Sequence, residues 1–256
     1  MDYGICNLSN VPVRISPDHK SEMISELLFG DHFKVLDSSK GWIKICIAAD
    51  KTEGWIETLQ SVKITKEYYT KLNEAPFIFT NDLVDFIEDS NANLFPIILG
   101  SRLPEYKDNA FKLIEENYLF EGNTTNASSN KASIVKTAFM YLNSPFLLGG
   151  KTPFGIDASG LTQMAYKVNG YQLPREVTKQ ATLGEVLSFI EESEPGDLAF
   201  FDDNEGNIIH TGIVLANNYI IHSYGKVRVD MIDQSGIYNQ ELRKHTHKLR
   251  VIKKMF

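Results

Sequence analysis

The chain has 256 residues, 43% of them hydrophobic and 23% charged, which is typical of a folded protein rather than a disordered one. Its net charge of −7 at pH 7 argues against a general nucleic-acid binder, which needs a basic face to neutralise phosphates. Only two cysteines occur, Cys6 and Cys46, so the chain is neither a disulfide scaffold nor the holder of a cysteine-rich zinc site.

No segment of the sequence predicts export or membrane insertion. No run approaches the roughly 20 consecutive apolar residues of a membrane helix. Residues 1–6 lack the basic start and the apolar stretch of a signal peptide. We therefore expect a cytoplasmic protein without a membrane partner.

Short β-strands are predicted over the first 62 residues. Apolar residues dominate or alternate over 11–15, 26–36, 42–47 and 53–56, with Gly and Asp at the turns between them. Five or so short strands of this kind are typical of a small all-β barrel. The order Val-Pro-Val-Arg, Leu-Leu-Phe-Gly-Asp, Gly-Trp-Ile-Lys-Ile and Glu-Gly-Trp-Ile resembles a bacterial SH3-type (SH3b) domain.

A second, less regular set of strands is predicted over residues 63–122, and we interpret it as a second SH3b-like barrel. Its candidate strands are 77–79, 83–87, 94–99 and 111–114. Residues 123–130 are small and polar, which predicts a linker.

The pattern changes over residues 131–256. Apolar residues recur at helical spacing from Ile134 to Leu142, and Asp157 can cap a helix that Gly170 would end. A further helical stretch is predicted near 183–192. Strands are then predicted at 198–201, 208–215, 219–224, 227–231 and 249–252. Helices followed by an antiparallel meander indicate an α+β domain, with helices packed on the sheet.

Two histidines lie on neighbouring predicted strands. His210 and His222 are 12 positions apart, and Asn217-Asn218 supplies the turn between them. A hairpin of this length places the imidazoles nearly opposite each other on one face. Two histidines within reach can serve as a base and the residue that orients it. From the hairpin alone, a purely structural pair of hydrogen-bonded histidines is the favoured interpretation, and a catalytic pair is the alternative.

A base needs a nucleophile, and the helix beginning at Asp157 offers a place for one, because N–H groups at a helix start stabilise a thiolate or an oxyanion. The motifs of this half are Phe154-Gly155-Ile156-Asp157-Ala158-Ser159-Gly160, Leu173-Pro174-Arg175, Pro195-Gly196-Asp197, His210-Thr211-Gly212 and Ile221-His222-Ser223. Their order resembles the NlpC/p60 family of papain-like cysteine peptidases, in which this helix opens with Asp-Cys-Ser-Gly. Together with two SH3b barrels, the chain is similar to cytoplasmic enzymes of muropeptide recycling.

The resemblance implies a reaction and its residues. Family members of this type hydrolyse the bond between γ-D-glutamate and a diamino acid in cell-wall peptides that carry a free N-terminal L-alanine. By motif position, Ala158 takes the place of the nucleophilic cysteine, His210 that of the general base, and His222 that of the residue orienting it. Asp157 and Ser159 match positions that contact the amine end of the substrate. The resemblance implies no cofactor and no metal.

The residue at position 158 decides whether the chain is active. A methyl group has no lone pair with which to attack a carbonyl, so we expect the chain to be inactive as it stands. Ser159 is a poor substitute, because one residue along a helix turns the side chain by about 100°. In a serine-protease triad, loss of the nucleophile costs on the order of a millionfold in turnover.

Other cleft positions also depart from the family pattern. Phe146 stands where the family has a tyrosine that helps hold the oxyanion, and Leu148 where tryptophan is usual. Several changes favour natural loss of activity, whereas retention of Asp157, His210 and His222 favours a single replacement of cysteine by alanine, and both explanations stay open. The alternative function is a natural pseudoenzyme that binds a muropeptide or a protein partner. A scaffold that acts through its barrels is a weaker third hypothesis.

Three further signals receive structural interpretations. Gly149-Gly150-Lys151-Thr152 ends like a phosphate-binding loop, but Pro145 stands where that loop needs its first glycine. His245-Thr246-His247 has no acidic or cysteine cluster beside it, and we expect a solvated segment rather than a metal site. Arg175 is compatible with contact to a substrate carboxylate or with a role in the fold.

Overall fold

A computed structural model describes residues 2–126 and 130–256 of the chain. The chain divides into two compact units, an N-terminal unit of residues 1–128 and a C-terminal unit of residues 129–256. The division falls inside the predicted linker, 123–130, of which residues 127–129 lie outside the described part. Within the described residues, no helix combines the length and the apolar character that a membrane crossing requires.

The first part of the N-terminal unit is one antiparallel sheet of seven strands. They are β1 (Asp2–Ile5), β2 (Asn10–Arg14), β3 (Met23–Leu28), β4 (His32–Ser39), β5 (Trp42–Ile47), β6 (Glu53–Glu57) and β7 (Val62–Ile64). Their order in the sheet is β3-β2-β6-β5-β4-β1-β7. Leu27 of β3 and Phe33 of β4 are four places apart in that order yet share one buried cluster, so the sheet curls around its core. The small barrel predicted from the alternation is consistent with this sheet.

The rest of the unit is a smaller β region that follows a helix. The elements are α1 (Lys66–Glu74), β8 (Phe79–Thr80), β9 (Val84–Asp89), β10 (Leu94–Ile98), β11 (Ala110–Leu113), β12 (Glu116–Leu119) and β13 (Thr124–Thr125). Four of these strands form a sheet of order β10-β9-β12-β11, and β13 pairs with β8. Phe29, in the turn after β3, and Ile64 of β7 share a buried cluster with Ile87, Phe111 and Tyr118, so the two β regions have a common core.

His32 is held uncharged in the N-terminal unit. It is buried, with Nε2 3.1 Å from Asn73 Oδ1 and Nδ1 3.5 Å from the Arg102 guanidinium. Burial and the neighbouring Arg102 charge lower the pKa of His32 from 6.5 to about 4. The unfolded chain binds a proton on His32 more readily than the folded chain does. The contribution of neutral His32 to the free energy of unfolding is therefore fully present above pH 6.5 and falls as the pH drops towards 4.

We expect the free energy of unfolding of the N-terminal unit to fall by about 3 kcal/mol between pH 7 and pH 4 through this residue. Both tryptophans, Trp42 and Trp55, lie in this unit, so denaturant titrations followed by tryptophan fluorescence measure it. His32→Gln should flatten the pH dependence, whereas His19→Gln, at an exposed position, should not. Equal slopes for the two variants would contradict this account.

The C-terminal unit contains three α-helices and nine strands within its described residues. They are α2 (Lys131–Met140), β14 (Lys151–Thr152), β15 (Gly155–Ile156), α3 (Ala158–Val168), α4 (Val177–Gln180), β16 (Glu185–Leu187), β17 (Leu198–Asp202), β18 (Ile208–Leu215), β19 (Tyr219–Tyr224), β20 (Lys226–Asp233), β21 (Gly236–Asn239) and β22 (Lys244–Lys254). Seven of these strands form a sheet of order β16-β22-β17-β18-β19-β20-β21. A further pairing of β21 with β22 joins six of them into a closed ring.

Helix α3 contacts β18 and β19 and also packs against α2. Its core-facing residues, Leu161, Met164 and Ala165, are fully buried. The predicted arrangement of helices packed on an antiparallel sheet is therefore present in this unit.

The prediction of a helix near 183–192 is wrong. Residues Glu185–Leu187 form the edge strand β16, which pairs with the end of β22. Gly184 precedes the strand in a left-handed conformation, with φ of +71°, and its missing side chain leaves room for the carbonyl of Lys254. The apolar spacing of this stretch was ambiguous, and pairing with a distant strand decided its structure.

Candidate active site

The start of α3 is fixed by Asp157, as the sequence predicts. Asp157 has extended backbone angles, and its Oδ1 accepts a hydrogen bond from the Gly160 amide at 2.7 Å. Its Oδ2 accepts another from the Gly149 amide at 2.8 Å. A Cβ on Gly160 would lie 2.4 Å from the Gly150 carbonyl oxygen, so only glycine permits this approach. Ala158 is the first residue of the helix, and it is buried.

Arg175 binds both Asp157 and Ser159 at the start of α3. Its Nη2 lies 2.6 Å from Asp157 Oδ2, and both side chains are buried. Its Nη1 donates to Ser159 Oγ at 2.7 Å, and the same hydroxyl lies 3.2 Å from Asp157 Oδ1. Asp157 and Ser159 thus bind each other and Arg175. Their predicted contact with a substrate amine remains a prediction.

The two histidines lie on one hairpin, at diagonal rather than directly opposite positions. Gly212, two residues after His210, is the residue that pairs with His222. The turn is centred on Asn217, with Asn217 and Asn218 both left-handed at φ of 59°, which shifts the pairing from the one predicted. The offset is even, so both side chains still point to the same face.

The imidazoles are in direct contact. His210 Nε2 lies 2.9 Å from His222 Nδ1, and His222 Nε2 lies 3.1 Å from Asp230 Oδ2. Burial, then the neighbouring His222 and His247, hold the pKa of His210 well below its ordinary value. Burial also lowers the pKa of His222, and Asp230 only partly opposes this. Both imidazoles are therefore neutral at pH 7, the state in which a histidine can accept a proton.

A hydrogen bond connects the hairpin to the helix start. Ser223, which follows His222, donates from its Oγ to the carbonyl oxygen of Ile156 at 2.7 Å. Ile156 is two residues before Ala158. Together with the packing of α3 on β18 and β19, this brings the predicted nucleophile position to the strands that carry both histidines.

His247 is a member of the cluster that sequence analysis missed. It is partly buried rather than solvated, and its ring stacks on that of His210 with centroids 4.0 Å apart and planes at 22°. Its Nδ1 lies 2.9 Å from Thr246 Oγ1. Burial and the neighbouring His222 lower the pKa of His247 to about 4. Because His247 lies on β22, far along the chain from the hairpin, nothing in the sequence indicated that its imidazole would contact His210.

The cluster of His210, His222 and His247 brings a nitrogen of each ring within 4.8 Å of the others, a spacing that raises the question of a metal. A metal must lie near the plane of each imidazole, along a nitrogen lone pair at about 2.0–2.1 Å. The planes of His210 and His247 are nearly parallel, so their lone pairs do not converge on one point. The rings as they stand are arranged for stacking and hydrogen bonding.

Phe146 lies near the end of the histidine hairpin. Its amide donates to the carbonyl of Gly225, next to the end of β19, at 3.0 Å, and its ring is partly exposed. Leu148 is also exposed. Neither side chain can donate a hydrogen bond to an oxyanion, whereas the free backbone N–H groups at the start of α3 can.

Comparison with known proteins identifies two sequence families in the chain. Residues 143–250 match the NlpC/P60 family, and residues 13–60 match the bacterial dipeptidyl-peptidase SH3 domain. The chain is 26% identical over 241 residues to the gamma-D-glutamyl-L-lysine dipeptidyl-peptidase of Bacillus subtilis, covering 85% of this chain and 78% of that protein. It is 24% identical over 254 residues to dipeptidyl-peptidase 6 of Lysinibacillus sphaericus, covering 88% and 90%.

Solved structures agree on the fold. An NlpC/P60 family protein from Bacillus cereus superimposes with a TM-score of 0.82 at 17% identity, covering 99% of both chains. An NlpC/P60 endopeptidase from Photobacterium damselae gives a TM-score of 0.71 at 18% identity, covering 97% of this chain and 70% of that one.

Proposed function

Because the chain contains an NlpC/P60 domain and, before it, a bacterial SH3 domain, we propose that its cleft is built to recognise cell-wall peptides and to hydrolyse their γ-D-glutamyl–diamino acid bond. Relatives that align with most of the chain are named gamma-D-glutamyl-L-lysine dipeptidyl-peptidases, which supports this substrate class. The observation that carries the proposal is the pair of buried, hydrogen-bonded imidazoles connected to the start of α3.

The proposed reaction follows from the positions of the residues. A thiol at position 158 would give its proton to His210, with His222 holding that ring in place, and would attack the scissile carbonyl. Backbone N–H groups of the first helical turn would stabilise the oxyanion. His210 would then protonate the leaving amine, and water would release the acyl group from sulfur. Phe146 lacks the hydroxyl of the family tyrosine, and one missing oxyanion donor costs about 2.7–4 kcal/mol of transition-state stabilisation.

The chain as it stands lacks the nucleophile at Ala158, so we propose that it binds such peptides without cleaving them. The alternative function is that of a natural pseudoenzyme, in which the retained cleft serves to hold a muropeptide or a protein partner and not to hydrolyse it; Ala158 and Phe146 together favour this alternative. We also propose that the smaller β region is a second SH3-type module and that the protein acts in the cytoplasm.

We expect the unaltered chain to bind L-Ala-γ-D-Glu-L-Lys with a Kd of about 1 μM or tighter, which corresponds to about −8.2 kcal/mol. The same peptide with an acetylated amine should bind at least about tenfold more weakly, because it loses the charge that the free terminus offers to the site. Isothermal titration calorimetry measures both. Absence of binding heat at millimolar peptide would contradict a retained peptide site.

A further inference from the structure

The side chain that ends the imidazole chain is a buried carboxylate, Asp230. It lies on β20, the strand next to the histidine hairpin. Its Oδ2 lies 3.1 Å from His222 Nε2, 2.8 Å from Arg228 Nε and 3.2 Å from Asn239 Nδ2. Its Oδ1 accepts a further hydrogen bond from Arg228 Nη2 at 3.1 Å. All of these neighbours are able to donate, so the carboxylate is surrounded by donors.

These donors keep Asp230 ionised. Burial alone would raise the pKa of this carboxyl, but the hydrogen bonds from His222 and Arg228 outweigh burial and lower it. Arg228 is in turn held by Glu241, whose Oε2 lies 3.1 Å from Nη1. An ionised carboxylate can only accept hydrogen bonds, so the nitrogen of His222 that faces it must carry the proton.

The protonation of one ring then dictates that of the next. A neutral imidazole carries a single proton. With that proton on Nε2, His222 has only a lone pair on Nδ1, so the 2.9 Å contact requires a proton on His210 Nε2. The lone pair of His210 is thereby left on Nδ1, the nitrogen on the other side of the ring.

We propose that Asp230 is a positioning residue that fixes the tautomers of His222 and His210 and so selects Nδ1 of His210 as the basic nitrogen. Without the carboxylate, the hydrogen bond between the two rings can run either from His210 to His222 or from His222 to His210. In the reverse direction His210 would carry its proton on Nδ1 and could not accept one there. The catalytic consequence rests on the proposed function, but the tautomers exist whether or not the chain is an enzyme.

Nuclear magnetic resonance of the ring nitrogens tests this on the unaltered chain. In long-range ¹H–¹⁵N spectra of histidine-labelled protein at neutral pH, His210 and His222 should both show a protonated Nε2 and an unprotonated Nδ1. Asp230→Ala should move both sets of signals towards the average of the two tautomers. If the alanine variant does not fold, Asp230→Asn, which keeps the shape of the side chain, replaces it in the test and should move the signals in the same direction.

A matched control lies on the same strand. Asp233 also faces a histidine, with Oδ2 2.9 Å from His245 Nε2, but at an exposed position. Asp233→Ala should leave the signals of His210 and His222 unchanged. The proposal is overturned if the unaltered chain shows His222 protonated on Nδ1, or if folded Asp230 variants keep the pure Nε2–H pattern.

A kinetic measurement adds the functional consequence. In the Ala158→Cys chain, Asp230→Ala should lower kcat by about a hundredfold or more with little change in KM, because a wrong tautomer disables the base without removing substrate contacts. An unchanged kcat in a chain that is otherwise active overturns the catalytic role. Inactivity of the Ala158→Cys chain itself would instead count against the proposed function, and the resonance experiment would still decide the tautomers.

Discussion

Replacing Ala158 by cysteine is expected to turn the chain into a peptidase. The substitution adds one sulfur at the first position of α3, where helix N–H groups favour a thiolate and His210 is in the neutral form that can accept the thiol proton. By comparison with the loss of a nucleophile in a serine-protease triad, the gain in turnover is on the order of 10⁵–10⁶. Release of free lysine from L-Ala-γ-D-Glu-L-Lys, followed by chromatography, measures it.

Two matched variants separate this restoration from indirect effects. Ala158→Ser adds a hydroxyl of the same shape but far less acidic, and its turnover should stay close to that of the unaltered chain. Adding His210→Gln to the Ala158→Cys chain should return turnover to that low level. A folded Ala158→Cys chain that binds the peptide but does not cleave it would contradict the account and favour a site that has degenerated beyond position 158.

Replacing Asp157 by alanine is expected to destabilise the C-terminal unit by about 3–5 kcal/mol. The change removes the cap of α3 and leaves the buried Arg175 guanidinium without the carboxylate 2.6 Å away. Loss of one partner of a buried ion pair costs this much because the other charge stays buried and unpaired. Loss of the cap contributes to the same total, since both interactions use one carboxylate.

The location of the tryptophans allows the two units to be followed separately. In denaturant unfolding followed by circular dichroism, the transition of the C-terminal unit should shift to a lower denaturant concentration. The transition followed by tryptophan fluorescence, which reports the N-terminal unit, should not change. Glu176→Ala is the matched control, since it breaks an ion pair with Lys179 in which both side chains are more than half exposed. It should cost less than about 1 kcal/mol. Equal losses for the two variants would refute the role given to Asp157.

Local patterns predicted much of the C-terminal unit. The cap at Asp157, the helix that follows and the strands carrying His210 and His222 all depend on residues close in sequence, where periodicity and turn chemistry act directly. The register of the hairpin differs from the predicted one by two residues, because Ala216, Asn217 and Asn218 form a three-residue turn centred on Asn217. Alternation alone does not determine where such a turn is centred.

The rest of the site depends on contacts between distant strands. Asp230 and His247 reach the histidines only because β20 pairs with β19 and β22 pairs with β17. The sequence around each residue contains no sign of that order. Arg175 was compatible with two roles, and its contacts with Asp157 and Ser159 appear only when the loop before α4 folds back on the helix start.

The most direct test of the central claim is the alkylation rate of the new thiol in the Ala158→Cys chain. Iodoacetamide labelling at pH 7, quantified by mass spectrometry of the peptide that contains position 158, reports thiolate reactivity without any assumption about the substrate. We predict that this thiol reacts at least about tenfold faster than Cys46 and that His210→Gln removes most of the difference. A rate equal to that of Cys46, unchanged by His210→Gln, would show that His210 does not act on position 158.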